Sequence, residues 1–380
     1  MEMTVADAIE MALKAIRENQ FERAKETLLQ VIAQQPNNAT AIHFLGMCYY
    51  HLGEVKKGKQ HFERSLTLEP ENLDFLHNLG SFYMQEGHYS QALFYLQKAV
   101  TLAPENFLFL GNLAVTCQKL NKTKLAKEAG LKCLQLKEQQ STDYFQKKFQ
   151  TKFKLNNLPI KPGYQKNDLN IIAFSLWGDD PLYTQGAIIN AMIAPYIYPE
   201  WRTRFYVDNS VPEVVIKKLK QFGAQVAVFP HPKKGYARLL WRFLVSDDKS
   251  VTRFICRDAD SRLNIQEKIA VDAWVASGKP FHLMRDAIVH CELILAGMWG
   301  GVAGILPNMV EMFNVLENNQ HEKWIDQAFT RQILWPLIKD QCLAHDHYYQ
   351  FYNAIDFPPH GRRHVKSHVG AIESWDLQRL

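Results

Sequence analysis

The sequence predicts an all-α solenoid of paired helices followed by an α/β domain with a mostly parallel, doubly wound sheet. Three observations predict it. Small residues, aromatics and prolines recur every 34 positions through the first third of the chain. Beyond residue 168, short apolar runs alternate with helical patterns. The fourth of those runs, "VTRFICRD", leads into two closely spaced carboxylates, Asp258 and Asp260, with Ala259 between them.

The repeat is read first. Pro36, Pro70 and Pro104 stand 34 residues apart, as do Gly46 and Gly80, Gly53 and Gly87, and Ala24, Gly58, Ala92 and Ala126. Leu28, Phe62 and Leu96 keep the same step, and Phe21 and Tyr89 fill one slot two repeats apart. Small residues let paired helices approach, large apolar ones fill the gap, and each proline closes a helical hairpin. "NLGSFYMQEGHYSQALFYLQKAVTLAPEN" (78–106) is the cleanest copy. The pattern resembles the tetratricopeptide repeat. About three full copies are expected, and the fourth, from Glu105, is degenerate as a solenoid cap would be, with Thr123 and Glu138 in the aromatic and proline slots. The resemblance implies a concave groove for a protein or other acceptor; a spacer or a homodimer surface is the competing role.

The repeat region is assigned to residues 1–140, a last helix and Lys-rich linker to 141–168, and the α/β domain to 169–380. At 380 residues, two or three domains are expected. A net charge of +5, from 44 basic and 39 acidic residues without a basic–aromatic stripe, argues against nucleic acid as the partner. Six cysteines without C-x-x-C spacing read as reduced thiols. No signal-peptide core lies in residues 1–30, and no run approaches the ~20 apolar residues of a membrane span. A cytoplasmic protein is expected, with peripheral membrane contact left open.

In the second part, strands are predicted at 169–178, 203–208, 224–230 and 251–258, with helices at 184–199, 211–223 and 236–247 between them. This βαβαβαβ rhythm gives a parallel sheet with ligands beyond the carboxyl ends of its strands. Asp258 falls at such an end. By itself D-x-D is also a common turn or helix cap. Two carboxylates aimed into a crevice repel each other, and a divalent cation with oxygen ligands relieves that repulsion while bridging two phosphates.

With D-A-D after the fourth strand, "YARLLWRFL" before it, "GMWGG" and "DQ", residues 169–375 resemble a glycosyltransferase of the GT-A fold, the glycogenin-like group being nearest. The resemblance implies a Rossmann-like sheet, Mn2+ or Mg2+ on Asp258 and Asp260, and a nucleotide-sugar donor, a UDP-sugar first among them. Tyr236 and Arg238 match a Tyr-x-Arg helix, so Arg238 and Arg242 are expected at donor phosphate or sugar. The loop after the first strand nominates Ser175, Trp177 and Tyr183 for base and ribose, Trp177 being equally a core residue. Gly297, Met298, Trp299, Gly300 and Gly301 are expected to line the sugar, Trp299 stacking on it or packing in the core. Arg285 and Asp286 would hold sugar hydroxyls or form a structural ion pair. Asp326 and Gln327 resemble a sugar- or acceptor-contacting pair; Asp326 also suits a helix cap.

A third metal ligand is expected from the His-rich tail. His368 with Gly370 and Trp375 resembles the family's His-x-x-Gly pattern but lacks its Lys-Pro; His345 is the other candidate. Arg362, Arg363 and Lys366 would close over the diphosphate or form a solvated tail. The implied activity is metal-dependent transfer of a sugar to a protein or glycan, leaning to retention, with Asp326 or Asp286 as base if inverting. Two alternatives remain: a repeat scaffold with an inactive transferase-like domain, and a phosphatase of the D-x-D-x-T type. Against the latter, Arg262 occupies the Thr position and the motif follows the fourth strand rather than the first.

Overall fold

The computed structural model describes residues 4–229, 236–316, 325–359 and 368–371. By internal packing the chain divides into two compact units, Met1–Cys133 and Leu134–Leu380.

The first unit is built of helical hairpins: α1 (Val5–Arg17) with α2 (Phe21–Gln34), α3 (Ala39–His51) with α4 (Val55–Leu68), α5 (Leu73–Gln85) with α6 (Tyr89–Leu102), and α7 (Phe107–Lys119) with the start of α8 (Thr123–Lys148). The 34-residue period extends to the helix caps. Asn38, Asn72 and Asn106 cap the starts of α3, α5 and α7, accepting from the N–H of Ala41 at 2.9 Å, Phe75 at 3.2 Å and Leu108 at 3.0 Å. Each follows its proline by two residues. Gly53 and Gly87 take φ of +83° and +77° in the intra-hairpin turns, a conformation that penalises a Cβ. Gly80 has another reason: a Cβ there would lie 2.8 Å from Leu96 Cγ, so glycine lets α5 close on α6.

The division between units falls inside α8. Its later residue Phe145, together with Leu134 and Phe153, belongs to the core of the second unit. Lys137 donates to the Cys291 carbonyl at 2.7 Å, and Lys339 reaches Glu138 at 2.6 Å.

The second unit continues with β1 (Asn170–Leu176), α9 (Pro181–Ile197), β2 (Trp201–Asp208), α10 (Glu213–Gln221) and β3 (Gln225–Phe229). A 3-10 segment (Tyr236–Asp247) then leads to β4 (Arg253–Arg257), α11 (Ile265–Ser277), β5 (Phe281–Arg285), β6 (Trp299–Val302) and α12 (Met309–Asn314). There follow α13 (Ile325–Phe329), a π-helical turn (Thr330–Leu334), α14 (Trp335–Ile338) and β7 (Cys342–Asp346). The seven strands form one sheet ordered β3-β2-β1-β4-β6-β5-β7. Every pairing is parallel except those of β6, which runs antiparallel to β4 and β5. The four predicted strands and three predicted helices are present, but the helix at 236–247 has 3-10 geometry, unusually long for that type.

One apolar layer packs α9, α10 and α11 on the sheet through Ala187, Ala191, Leu219 and Trp274. The other packs the 3-10 segment, α8 and residues 325–338 through Phe243, Phe145, Phe329 and Trp335. Among the described residues no helix is long and apolar enough to cross a membrane.

Candidate active site

From β1 the chain steps outward to β2 and β3 on one side, and β4 pairs on the other. This is the topological switch point of a doubly wound sheet, where strand ends leave a crevice. Asp208 closes β2, Asp258 follows β4, and Ser175 lies near the end of β1 between them.

The 3-10 segment crosses these ends. Ser175 Oγ accepts from the Arg242 N–H at 3.0 Å and anchors it. Arg238 Nη2 lies 3.0 Å from Asp208 Oδ2, an ion pair rather than a well-aligned hydrogen bond. Arg242, with a side chain 2% exposed, donates to Asp258 Oδ1 and, at 2.9 Å, to Asp326 Oδ2. One buried guanidinium therefore fixes the first carboxylate of D-A-D and the carboxylate of "DQ", 68 residues later in the sequence.

The D-A-D turn is clamped from α9. Asn190 donates to the Ser261 carbonyl at 2.8 Å and accepts from the Leu263 N–H at 3.2 Å. A Cβ on Gly186 would stand 2.1 Å from the Ala259 carbonyl oxygen, so only glycine lets α9 approach. Beneath the turn, buried Arg257 pairs with Glu267 at 2.6 Å, and Tyr198 donates to the same carboxylate at 2.8 Å. On the opposite side, a Cβ on Gly297 would lie 2.0 Å from Asp258 Oδ2. The Asp258 side chain itself is 46% exposed and open to a ligand.

Burial and the neighbouring Asp258 push the Asp260 carboxyl upward in pKa. Burial and Asp258 also raise Asp326, with Arg242 opposing them. Tyr183, 41% exposed on the first turn of α9, has its phenol raised by burial and by Asp260, Asp180 and Asp258, which places it beside the pair.

This donor set suits a hard cation. Among the described residues no three His, Cys, Asp or Glu side chains gather closely enough to hold an ion alone. Mg2+ in particular is commonly held by one or two carboxylates together with substrate phosphates and water. His368, the expected third ligand, stands edge-on to His290 with ring centroids 4.7 Å apart. Its Nδ1 donates to the Val369 carbonyl at 3.0 Å, because a carbonyl only accepts. Gly370 packs on Met298 Sδ, next to Gly297.

Several sequence expectations are corrected. Trp299 does not stack on a ligand: it is fully buried in β6, edge-on to Phe243 and Phe254. Gly300 serves close strand packing, since its Cβ would meet the Phe254 carbonyl at 2.4 Å. Arg285 is buried in an ion pair with Asp346 at 2.8 Å and donates to the Leu293 and Phe351 carbonyls. Asp286 is buried too, its Oδ2 accepting from the Val369 N–H at 2.9 Å and from Gln266 at 3.3 Å, so it pins the returning C-terminal segment. His345 lies in β7, three strand spacings or roughly 14 Å from β4. There it bonds His282 at 2.9 Å in the interior. The Gln327 amide bridges the Ile294 carbonyl at 3.0 Å and the Ala296 N–H at 2.9 Å, shaping the 294–298 loop rather than facing a sugar. Ser175 and Arg242 are positioning groups, buried behind the crevice instead of lining it.

Arg238 is partly exposed and Trp177 half-buried at the loop after β1. Arg362, Arg363, Lys366 and Trp375 lie outside the described residues, as does the side chain of Tyr236. Sequence reasoning missed Asp208, Gly186 and Asn190. A carboxylate closing the second strand and an unexplained glycine within a helix were the available signals.

Comparison with known proteins bears on the first unit. Two tetratricopeptide-repeat family models match, at residues 39–72 and 73–106. No curated protein matches the chain. Similar solved structures include one titled "Crystal structure of MamA", 16% identical, covering 37% of this chain and 81% of that one, with a TM-score of 0.34. MamA from Desulfovibrio magneticus is 20% identical over 37% of this chain and 78% of its own, TM-score 0.34. PilF of Pseudomonas aeruginosa is 25% identical over 37% and 64%, TM-score 0.34. The chain thus contains tetratricopeptide repeats, at residues 39–106, followed by an α/β domain.

Proposed function

We propose that the α/β unit is a metal-dependent glycosyltransferase that takes a sugar from a nucleotide-sugar, a UDP-sugar first among candidates, while the repeats engage a protein or glycan acceptor. The carrying observation is the placement of Asp258 and Asp260 beyond β4 at the switch point, one carboxylate fixed by buried Arg242 and given room by Gly297.

In this reading the nucleoside lies over the ends of β1 and β2, near Trp177 and Arg238. The diphosphate reaches toward the D-A-D turn. Asp258 and Asp260, together with substrate phosphates and water, would hold Mn2+ or Mg2+. A bound ion supplies positive charge to the leaving diphosphate. Arg242 orients Asp258 from behind and opposes the upward push on the Asp326 carboxyl. Tyr183 borders the mouth. Both carboxylates considered as base, Asp326 and Asp286, are buried and hydrogen-bonded, which supports retention over inversion.

The test is calorimetric titration of the whole chain with UDP-, GDP-, dTDP- and CMP-sugars, with and without Mn2+ or Mg2+, followed by assay of slow donor hydrolysis. One donor should bind in a metal-dependent way, and Asp258→Ala or Asp260→Ala should weaken it at least tenfold. If no donor binds with either ion, or binding ignores both substitutions, the reading fails. A scaffold with an inactive transferase-like domain then takes its place.

A further inference from the structure

Helix α9 has no charged residue in its 17 positions. Its inner face is spent on the sheet, where Ala187, Ala191 and Ala194 are buried. A surface helix of this kind normally carries charge on its outer face; one that is apolar all round is ordinarily covered on both sides. Here the outer stripe, at helical spacing, is Gln185, Ile189, Met192 and Tyr196. Met192 is 42% and Tyr196 86% exposed.

Helix α10 packs beside α9 in the same layer. It exposes Val214, Lys217, Lys218 and Lys220. Glu213 offsets Lys217 at 2.9 Å, and among the described residues no carboxylate pairs with Lys218 or Lys220. The layer thus shows solvent an uncharged apolar and tyrosine stripe bordered by lysines. Apolar and aromatic side chains suit the acyl–headgroup boundary, and lysines suit anionic headgroups.

We infer that the outer face of α9 and α10 docks on an anionic phospholipid surface. The charge of α10 selects this occupant over an uncharged protein surface. Because α9 begins at the D-A-D crevice with Tyr183 and Gly186, docking holds that crevice about 20 Å along the helix from Tyr196. The inference does not depend on the sugar-transfer reading.

The test is co-sedimentation of the whole chain with phosphatidylcholine vesicles containing or lacking 30% (about one third) phosphatidylglycerol. Binding is expected only with the anionic lipid and should fall steeply in 1 M (about) salt, where screening is short-ranged. Met192→Ser with Tyr196→Ser, and separately Lys218→Glu with Lys220→Glu, should each lower it by about tenfold or more. Circular dichroism checks that both variants fold, and Asp258→Ala should bind vesicles like the parent. The inference is overturned by absence of binding to anionic vesicles, or by binding that both double variants retain. It is also overturned if light scattering shows a dimer that the Met192/Tyr196 variant abolishes while vesicles capture nothing; a second copy is then the occupant.

Discussion

Replacing Arg242 by Met removes a buried guanidinium while keeping a similar apolar stem. Two carboxylates lose their partner. Asp258 is half exposed and can turn to water, so its loss counts for little. Asp326 is buried, with a side chain 8% exposed, and is left as an unpaired charge. Breaking a buried pair from one side costs about 3–5 kcal/mol. Because Asp258 is solvated, about 3 kcal/mol is expected near pH 7.5, or a Tm lower by roughly 6–12 °C for a unit of this size. The loss must depend on pH. Burial and Asp258 already raise Asp326, and Arg242 is the largest of the groups opposing them, ahead of the Gln327 N–H. Without Arg242 the folded-state pKa rises further above the unfolded value, so the folded variant binds the extra proton. Its stability is then higher below that folded pKa and falls as pH rises through it. Thermal melts of parent and Arg242→Met at pH 5 and 7.5 should show the smaller gap at pH 5. Adding Asp326→Asn should restore much of the loss at pH 7.5. A gap equal at both pH values, or one under about 1 kcal/mol, would refute a buried charge pair as the support of the site.

Three further outcomes are expected. Gly297→Ala should fold normally but reduce metal-dependent donor binding at least tenfold, because its Cβ displaces the Asp258 carboxylate; unchanged titration would show that this oxygen is not used. A fragment beginning at Leu169 should be insoluble or molten and one beginning at Leu134 should fold, since Leu134, Phe145 and Phe153 fill the α/β core and each buried side chain is worth about 1.5–3 kcal/mol; two-dimensional NMR of both fragments decides it. Burial lowers His345 to about 4 and holds His282 well below the ordinary range. The unfolded chain therefore binds more protons than the folded one as pH drops below 6.5. Stability is full above that value and is lost as pH falls toward 4, and His345→Phe should flatten the part of urea-midpoint dependence that this residue supplies.

The sequence by itself determined the repeat and the order of the elements. Both are local: a 34-residue period records which faces of adjacent helices must be small, and Asn38, Asn72 and Asn106 repeat with it because each hairpin needs its cap. Alternating strands and helices likewise imposed a parallel sheet, and that sheet put Asp258 at a strand end. Only the tertiary structure decided which residues near the motif face the crevice. Trp299 and Arg285 read as ligands because Trp and Arg often are, yet both are consumed by burial and pairing in the sheet. Arg242, Asp258 and Asp326 meet through a contact that no spacing encodes. Gly186 and Gly297 matter for the volume they leave empty beside the turn, and such a volume belongs to two segments at once, so neither stretch of sequence announces it.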